Sequence, residues 1–271
     1  MNFVLQVGYT PKIQEPGPGF QRLSQIAKDV NLYQHRKFEQ NSPCGSSASN
    51  GDWYKHGHNK DTVLDVVANA REINFGGGEP FISPMIIEIL EAIDSKTPLQ
   101  FNTNMTKIND KVLNALEKFD SVDIVASIDG VGKHNNYLRY GSDWSIVEDN
   151  FKKFQSMPNV RLSIGYILQH SSVYTLQNVI EFANANDIKI WMSEVYDDSG
   201  YLGINSVVSE DADRAKSQLD YCTDEQKKTV QCWLDSYYFD AKLHQKYTEY
   251  VKTLDSIRGT DFVKTFNPSW T

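Results

Sequence analysis

The fold of this chain is decided by the stretch Ile73-Asn74-Phe75-Gly76-Gly77-Gly78-Glu79-Pro80. The apolar start of the stretch predicts a buried strand that ends at the glycines. Ser83 and Pro84 then fit the N-cap and the first position of a helix. A strand, a glycine-rich connection and a helix together predict one βα unit.

The three glycines also indicate a place where a ligand can approach the backbone. Without Cβ atoms, the strand end leaves its N–H and C=O groups open to a polar small molecule. Glu79 adds a carboxylate that suits a ligand ammonium group. A plain strand-to-helix turn would use the same glycines. The glycine run alone therefore leaves both interpretations open.

Strands and helices alternate along the middle of the chain. Short runs rich in apolar or β-branched residues predict strands: Glu72–Phe75, Leu99–Asn102, Val122–Ser127, Arg161–Leu168 and Ile188–Glu194. Apolar residues at helical spacing predict the intervening helices: Pro84–Ile93, Asp110–Phe119, Trp144–Phe154 and Tyr174–Ala185. Charged helices with interleaved aromatic residues follow: Ser209–Leu219, Asp224–Ser236 and Asp240–Arg258.

This order predicts an α/β fold with a parallel sheet and helices outside it. A further strand over Phe3–Val7 would make six. Periodicity alone permits either a partial barrel or a doubly wound open sheet. In both architectures ligands bind at the carboxyl ends of the strands. Those ends are Gly76–Glu79, Asn102–Asn104 and Ser127–Asp129.

Four segments in this order resemble the motifs of radical S-adenosylmethionine enzymes, and of their small twitch-type and SPASM-like members. Gly77–Pro80 is similar to the GGEP motif, and Phe101–Thr106 resembles the third-strand segment of the family. Ile124–Gly130 is close to its SIDG strand, and Tyr137–Gly141 is similar to its YLRxG segment. The tail Leu254–Phe262 also resembles small members.

The resemblance implies a partial (β/α)6 TIM-like barrel, and the charged helices from Ser206 onward predict a C-terminal helical cap. We therefore expect an irregular N-terminal segment with the cluster loop at 1–60, a barrel core at 61–205 and the cap at 206–271. The resemblance also implies two cofactors, S-adenosylmethionine and a four-iron four-sulfur cluster.

The cluster motif of the family, CxxxCxxC, is incomplete in this chain. If Cys44 is the third ligand, Asn41 and Lys37 occupy the other two positions, and neither supplies a thiolate. Cys44-Gly45-Ser46-Ser47, with Trp53 beyond it, still resembles the segment that follows the motif. Two explanations stay open: a member that lost its cluster, or a damaged or recombined frame before Cys44. Cys44 is the one metal-ligand candidate.

Roles for other residues follow from the resemblance. Gly77, Gly78 and Glu79 hold the methionine ammonium, and Arg139 pairs with the methionine carboxylate. Short polar side chains bind the ribose hydroxyls: Ser127, Asp129 and Asn102. The structural alternative is that Ser127 and Asp129 cap a turn and that Arg139 makes an ordinary ion pair.

Composition limits the classes of partner and the compartment that we expect for this protein. The 271 residues carry a formal charge of −8, which argues against nucleic-acid binding by bulk electrostatics. No apolar run approaches the roughly 20 residues that span a bilayer. Three scattered cysteines fit free thiols in a reducing compartment, so we expect a cytoplasmic protein.

Three functions remain open from the sequence. The first is a protein that binds S-adenosylmethionine at the barrel mouth and whose ancestors generated a 5′-deoxyadenosyl radical to modify a substrate. Related members act on peptides, so a peptide is the substrate class that the resemblance implies. The second is a cluster-less, non-catalytic adapter that keeps the barrel. The third is an unrelated barrel enzyme that uses Asp129 and Glu194 as acid and base.

Overall fold

The computed structural model describes residues 4–8, 60–76 and 78–270. Six strands form one sheet in chain order. They are β1 Val4–Gly8, β2 Glu72–Gly76, β3 Leu99–Thr103, β4 Val122–Ser127, β5 Val160–Leu168 and β6 Lys189–Glu194.

Ten α-helices occur among the described residues. Six lie between the strands: α1 Lys60–Ala68, α2 Ile86–Ala92, α3 Asp110–Leu116, α4 Lys133–Leu138, α5 Trp144–Gln155 and α6 Ser172–Ala185. Four follow the sheet: α7 Ser209–Ser217, α8 Asp224–Asp235, α9 Ala241–Arg258 and α10 Phe262–Phe266. No helix in this part of the chain has both the length and the apolar character needed to cross a bilayer.

The strand order separates the two architectures that periodicity left open. A doubly wound sheet reverses its order at a switch point. Here β2 to β6 are parallel and follow one another without a reversal. The α/β class is confirmed, and the order is that of a partial (β/α) barrel. The domain boundaries at 60 and 205 stay a prediction.

The first strand corrects the expectation of a sheet that is parallel throughout. It lies at Val4–Gly8 and pairs with β2 in the antiparallel direction, with Val4 opposite Gly76. Strand periodicity reads the same in both chain directions, so it does not determine how two strands are oriented.

The helix after β2 also begins later than predicted. Residues 80–82 form a 3₁₀ turn, and α2 starts at Ile86 with Met85 as its N-cap and no side-chain cap. Ser83 instead closes the 3₁₀ turn, where its N–H donates to the carbonyl of Pro80. The Ser-Pro pair therefore ends one turn instead of starting a helix.

The chain forms two compact units. One contains the described residues up to Val125 together with Asn150–Leu162, and the other contains Ala126–Asp149 and Ser163 onward. In the first unit, the rings of Phe75 and Phe101 stack with centroids 4.3 Å apart. Phe81 stacks on Phe101 at 4.9 Å. These aromatic contacts hold the ends of β2 and β3 together.

The second unit contains the C-terminal helices. Asp240 caps the start of α9 by accepting from the N–H groups of Lys242 and Leu243, and Gly259 ends the helix with φ 66°. Around Phe262, which is fully buried, lie several aromatic rings: Tyr137, Tyr174, Tyr247, Phe266 and Trp270.

A buried histidine lies at the edge of this aromatic cluster. His170 is 1% exposed, and its ring stacks on that of Tyr247. Its Nδ1 is 2.6 Å from the hydroxyl of Ser206, which itself donates to the carbonyl of Gly203. Burial, followed by the nearby His244, lowers the pKa of His170 well below its ordinary value. The folded protein therefore holds this ring neutral.

The His170 environment predicts that stability falls in mild acid. The folded pKa is depressed, so the stabilisation is present above the unfolded value near 6.5 and is lost as the pH falls below it. Each such group contributes a slope of about 1.4 kcal/mol per pH unit there. Urea unfolding at pH 7.5, 6.0 and 5.0 should show this slope, and His170→Asn should reduce it. An equal slope in the variant would contradict the assignment.

Candidate ligand site at the carboxyl ends of the strands

In the first unit, β2 and β3 present one apolar and one polar face. Ile73 and Phe75 are buried, as are Leu99 and Phe101 at the paired positions of β3. The alternate residues are half-buried and polar or small: Asn74, Gly76, Gln100 and Asn102. The face turned away from the aromatic core is thus lined by amides and one glycine. It is a surface that can exchange hydrogen bonds with a polar ligand.

Glu79 joins the end of β2 to the end of β3. The side chain is 1% exposed, and its Oε1 accepts from the Thr103 hydroxyl at 2.8 Å and from the Phe81 N–H at 3.3 Å. Oε2 accepts from the Asn104 N–H at 2.7 Å. Hydrogen bonds to a carboxylate are stronger than those between neutral groups. The glycine turn is therefore fixed against the third strand.

The loop after β3 is held by further bonds. The Thr103 hydroxyl accepts from the Met105 N–H at 3.1 Å, and the Asn104 side chain accepts from the Thr106 N–H at 2.9 Å. Asn150, which is buried, donates to the carbonyl of Met105 at 2.8 Å. Met105 itself has φ 60°, an unusual value for a residue with a side chain. This positive φ and the bonds around it give the loop one defined shape.

The glycines differ in what the backbone requires of them. Gly78 is exposed and has φ 52°, a left-handed conformation that favours glycine. Gly76 lies at the end of β2, and a Cβ built there would come no closer than 3.5 Å to the Asn102 amide nitrogen. The turn accounts for Gly78, but sterics within the described chain do not account for Gly76. Gly77 lies outside the described residues.

In the second unit, Asp129 and Arg139 form an ion pair of 2.8 Å. The two side chains are 13% and 26% exposed. Asp129 Oδ1 and Arg139 Nε are buried and have no hydrogen-bond partner among the described residues. Ser127 is half-buried at the end of β4. The pair therefore keeps one acceptor and one donor for a further group.

Close backbone packing and the C-terminal tail hold the segment that carries Arg139. A Cβ at Gly130 would lie 2.9 Å from that of His134, so only glycine fits there. The Tyr137 hydroxyl donates to Asp255 at 2.8 Å, and Asp255 also accepts from the N–H of Phe262. Burial and this carboxylate raise the pKa of Tyr137. These positioning contacts are not predictable from local sequence patterns, because residues far apart in the chain make them.

The other predicted residues are distributed as follows. Cys44, Asn41 and Lys37 lie outside the described residues. Cys222 is buried and Cys232 is exposed, and both are free thiols. Glu194 is exposed at the end of β6. Within the described ranges no three His, Cys, Asp or Glu side chains are grouped as a metal site would require.

The sequence matches no protein-family model and no curated protein. Among solved structures it is similar to SuiB from Streptococcus suis. The structure of SuiB bound to precursor peptide SuiA is 17% identical and has a TM-score of 0.40, with 70% of this chain and 36% of that chain covered. The structure of SuiB bound to S-adenosylmethionine is 18% identical with a TM-score of 0.42, and the coverage is 66% and 39%. The chain thus spans less than two fifths of the SuiB chains.

Replacing Glu79 by Gln tests how the glycine turn is held. The Gln amide replaces one carboxylate oxygen by an NH₂ group. A buried donor that faced this oxygen therefore loses its acceptor. We expect a loss of about 1 to 3 kcal/mol in the free energy of unfolding, measured with urea. The exposed Glu91→Gln is the matched control, with a change inside about 0.5 kcal/mol. Equal values for the two variants would show that Glu79 does not hold the turn.

Proposed function

We propose that this protein binds S-adenosylmethionine at the carboxyl ends of its strands and does not carry the cluster that would cleave it. The observation that carries the proposal is the Glu79 contact set in the first unit. A buried carboxylate fixes a glycine turn, and the half-buried Gly76 at the end of β2 lies beside the amides of Asn74 and Asn102. A preorganised backbone edge binds a polar ligand at low entropic cost.

The glycine carbonyls are the proposed acceptors for the methionine ammonium. The Glu79 oxygens already accept three hydrogen bonds from Phe81, Thr103 and Asn104. The carboxylate therefore holds the turn that contains Gly78 and adds a nearby negative charge, while the proposed ligand contacts come from backbone C=O groups. Asn102 is the residue of this unit that we propose as a partner of a ribose hydroxyl.

The second unit carries its own part of the proposal. We assign ribose hydroxyls to Ser127 and Asp129, and the methionine carboxylate to Arg139. Among the described residues Asp129 Oδ1 and Arg139 Nε have no partner, so the first fits a hydroxyl donor and the second an acceptor oxygen. These assignments follow the family resemblance.

The donor set does not fit a four-iron four-sulfur cluster. Such clusters are held by cysteine thiolates, and the whole chain has three cysteines. Cys222 is buried beside the carbonyl of Gln218, and Cys232 lies exposed on α8. Cys44 alone occupies the motif position. The proposed function is therefore cytoplasmic binding of S-adenosylmethionine without radical generation.

Replacing Gly76 by Ala tests ligand binding at the glycine edge. Among the described residues the added methyl group has room, since its nearest neighbours there are 3.5 and 3.9 Å away. It does obstruct a ligand that lies against the strand end, so we expect S-adenosylmethionine affinity to fall about tenfold or more, as for a loss of about 1.4 kcal/mol in binding. Isothermal titration calorimetry measures the affinity, and circular dichroism confirms the fold.

Gly203→Ala is the matched control for that variant. Gly203 has φ −81° and an added Cβ would be 3.4 Å from the nearest atom, so alanine is tolerated. Its S-adenosylmethionine affinity should equal that of the unaltered protein. If the unaltered protein binds no S-adenosylmethionine, the adapter function replaces the one proposed.

Anaerobic reconstitution with iron and sulfide tests the missing cluster. We expect no four-iron cluster in the visible spectrum or by iron determination, and no 5′-deoxyadenosine after reduction with dithionite, because two thiolates of the motif are absent. Cys44→Ala is the control, and it should behave like the unaltered protein. A full cluster that disappears in Cys44→Ala would contradict this part of the proposal.

A further inference from the structure

The sheet ends at β6, which has a strand on only one side. β5 pairs with it along Ser163–Leu168, and no strand lies on its other side among the described residues. The Val195 N–H points toward β5, where it donates to the carbonyl of Leu168. Backbone groups of successive strand residues point to opposite sides. Ile190 and Met192 therefore direct their N–H and C=O groups toward the open edge.

A groove of about 570 Å³ runs along this edge. The consecutive residues 188–192 form one wall, and the first turns of α8 form the other. The second wall is fixed by a capping box, in which Thr223 accepts from the N–H of Gln226 at 3.3 Å and Gln226 accepts from that of Thr223 at 2.9 Å. The volume lies in the range of ordinary ligand pockets.

The lining indicates what the groove can hold. A strand edge offers alternating donors and acceptors, and another extended polypeptide is the partner that matches this spacing. The charges lining the groove are the carboxylates of Asp187 and Glu225 and the ammonium of Lys189. That ammonium lies over the Trp191 ring, 3.9 Å from its centroid. Two carboxylates and one cation already in contact with a ring favour a basic side chain in the occupant.

We propose that an extended peptide segment with a basic residue binds in this groove as an added strand beside β6. Trp191, which is 53% exposed, offers an aromatic surface next to the bound segment. This inference does not rest on S-adenosylmethionine binding.

A fluorescein-labelled peptide of alternating threonine and valine with two lysines is the probe, and fluorescence anisotropy measures its affinity. Met192→Pro removes an outward N–H and places a proline ring on the open edge, where the β5 ladder does not need the donor. We expect it to weaken binding about tenfold or more. Met192→Ala changes the same side chain but keeps the N–H, so its affinity should fall much less than that of Met192→Pro.

A second measurement keeps the test independent of the folding of Met192→Pro. The same probe with every amide N-methylated cannot pair as a strand, and it should not bind the unaltered protein. Glu225→Gln should weaken the lysine probe but not a probe with glutamine in place of lysine. S-adenosylmethionine affinity should be unchanged in Met192→Pro, which separates this inference from the proposed function.

Three results would overturn the inference. They are absence of binding by the unaltered protein, equal binding by the N-methylated probe, and equal binding by folded Met192→Pro. Sedimentation of the unaltered protein measures its oligomeric state and so tests the other possible occupant of the edge, a second copy of the chain. A dimer that Met192→Pro dissociates would show that a second copy covers the edge.

Discussion

The buried carboxylate of Glu79 is the constraint on which the first unit depends. A charged group in the interior is tolerated only when hydrogen bonds replace its hydration. The donors here come from the 3₁₀ turn, from the side chain of Thr103 and from the backbone of Asn104. Because they lie on two connections, satisfying one charge fixes both strand ends. The fixed backbone edge of β2 follows from that requirement.

The second unit uses a carboxylate in a similar way. Asp255 near the end of α9 accepts from the Tyr137 hydroxyl, the Thr260 hydroxyl and the Phe262 N–H. Tyr137 lies on α4, one residue before that helix ends, and Arg139 follows directly as its C-cap. The C-terminal tail thereby positions the loop that carries the predicted site arginine. Residues late in the chain support a segment near its middle.

The sequence predicted the parallel strands to within about two residues, because apolar runs bounded by glycine and polar residues are a strong local signal. It did not predict the direction of β1, since alternation carries no direction. The sequence also did not predict which protein groups donate to Glu79. The carboxylate was expected to meet a ligand ammonium, and its protein donors lie 24 and 25 residues away on β3 and its loop. Arg139 was expected to meet a carboxylate of the ligand, and its partner in the structure is Asp129.

The glycines themselves distinguish a plain turn from a ligand edge. A turn explains glycine where φ is positive, as at Gly78, and close packing explains it where a Cβ would clash, as at Gly130. Within the part of the chain that the structure describes, neither reason applies at Gly76, which ends β2 and has room for a methyl group. Approach of a ligand to this strand end is the proposed reason for glycine there, which makes Gly76, and not Gly78, the informative position to change.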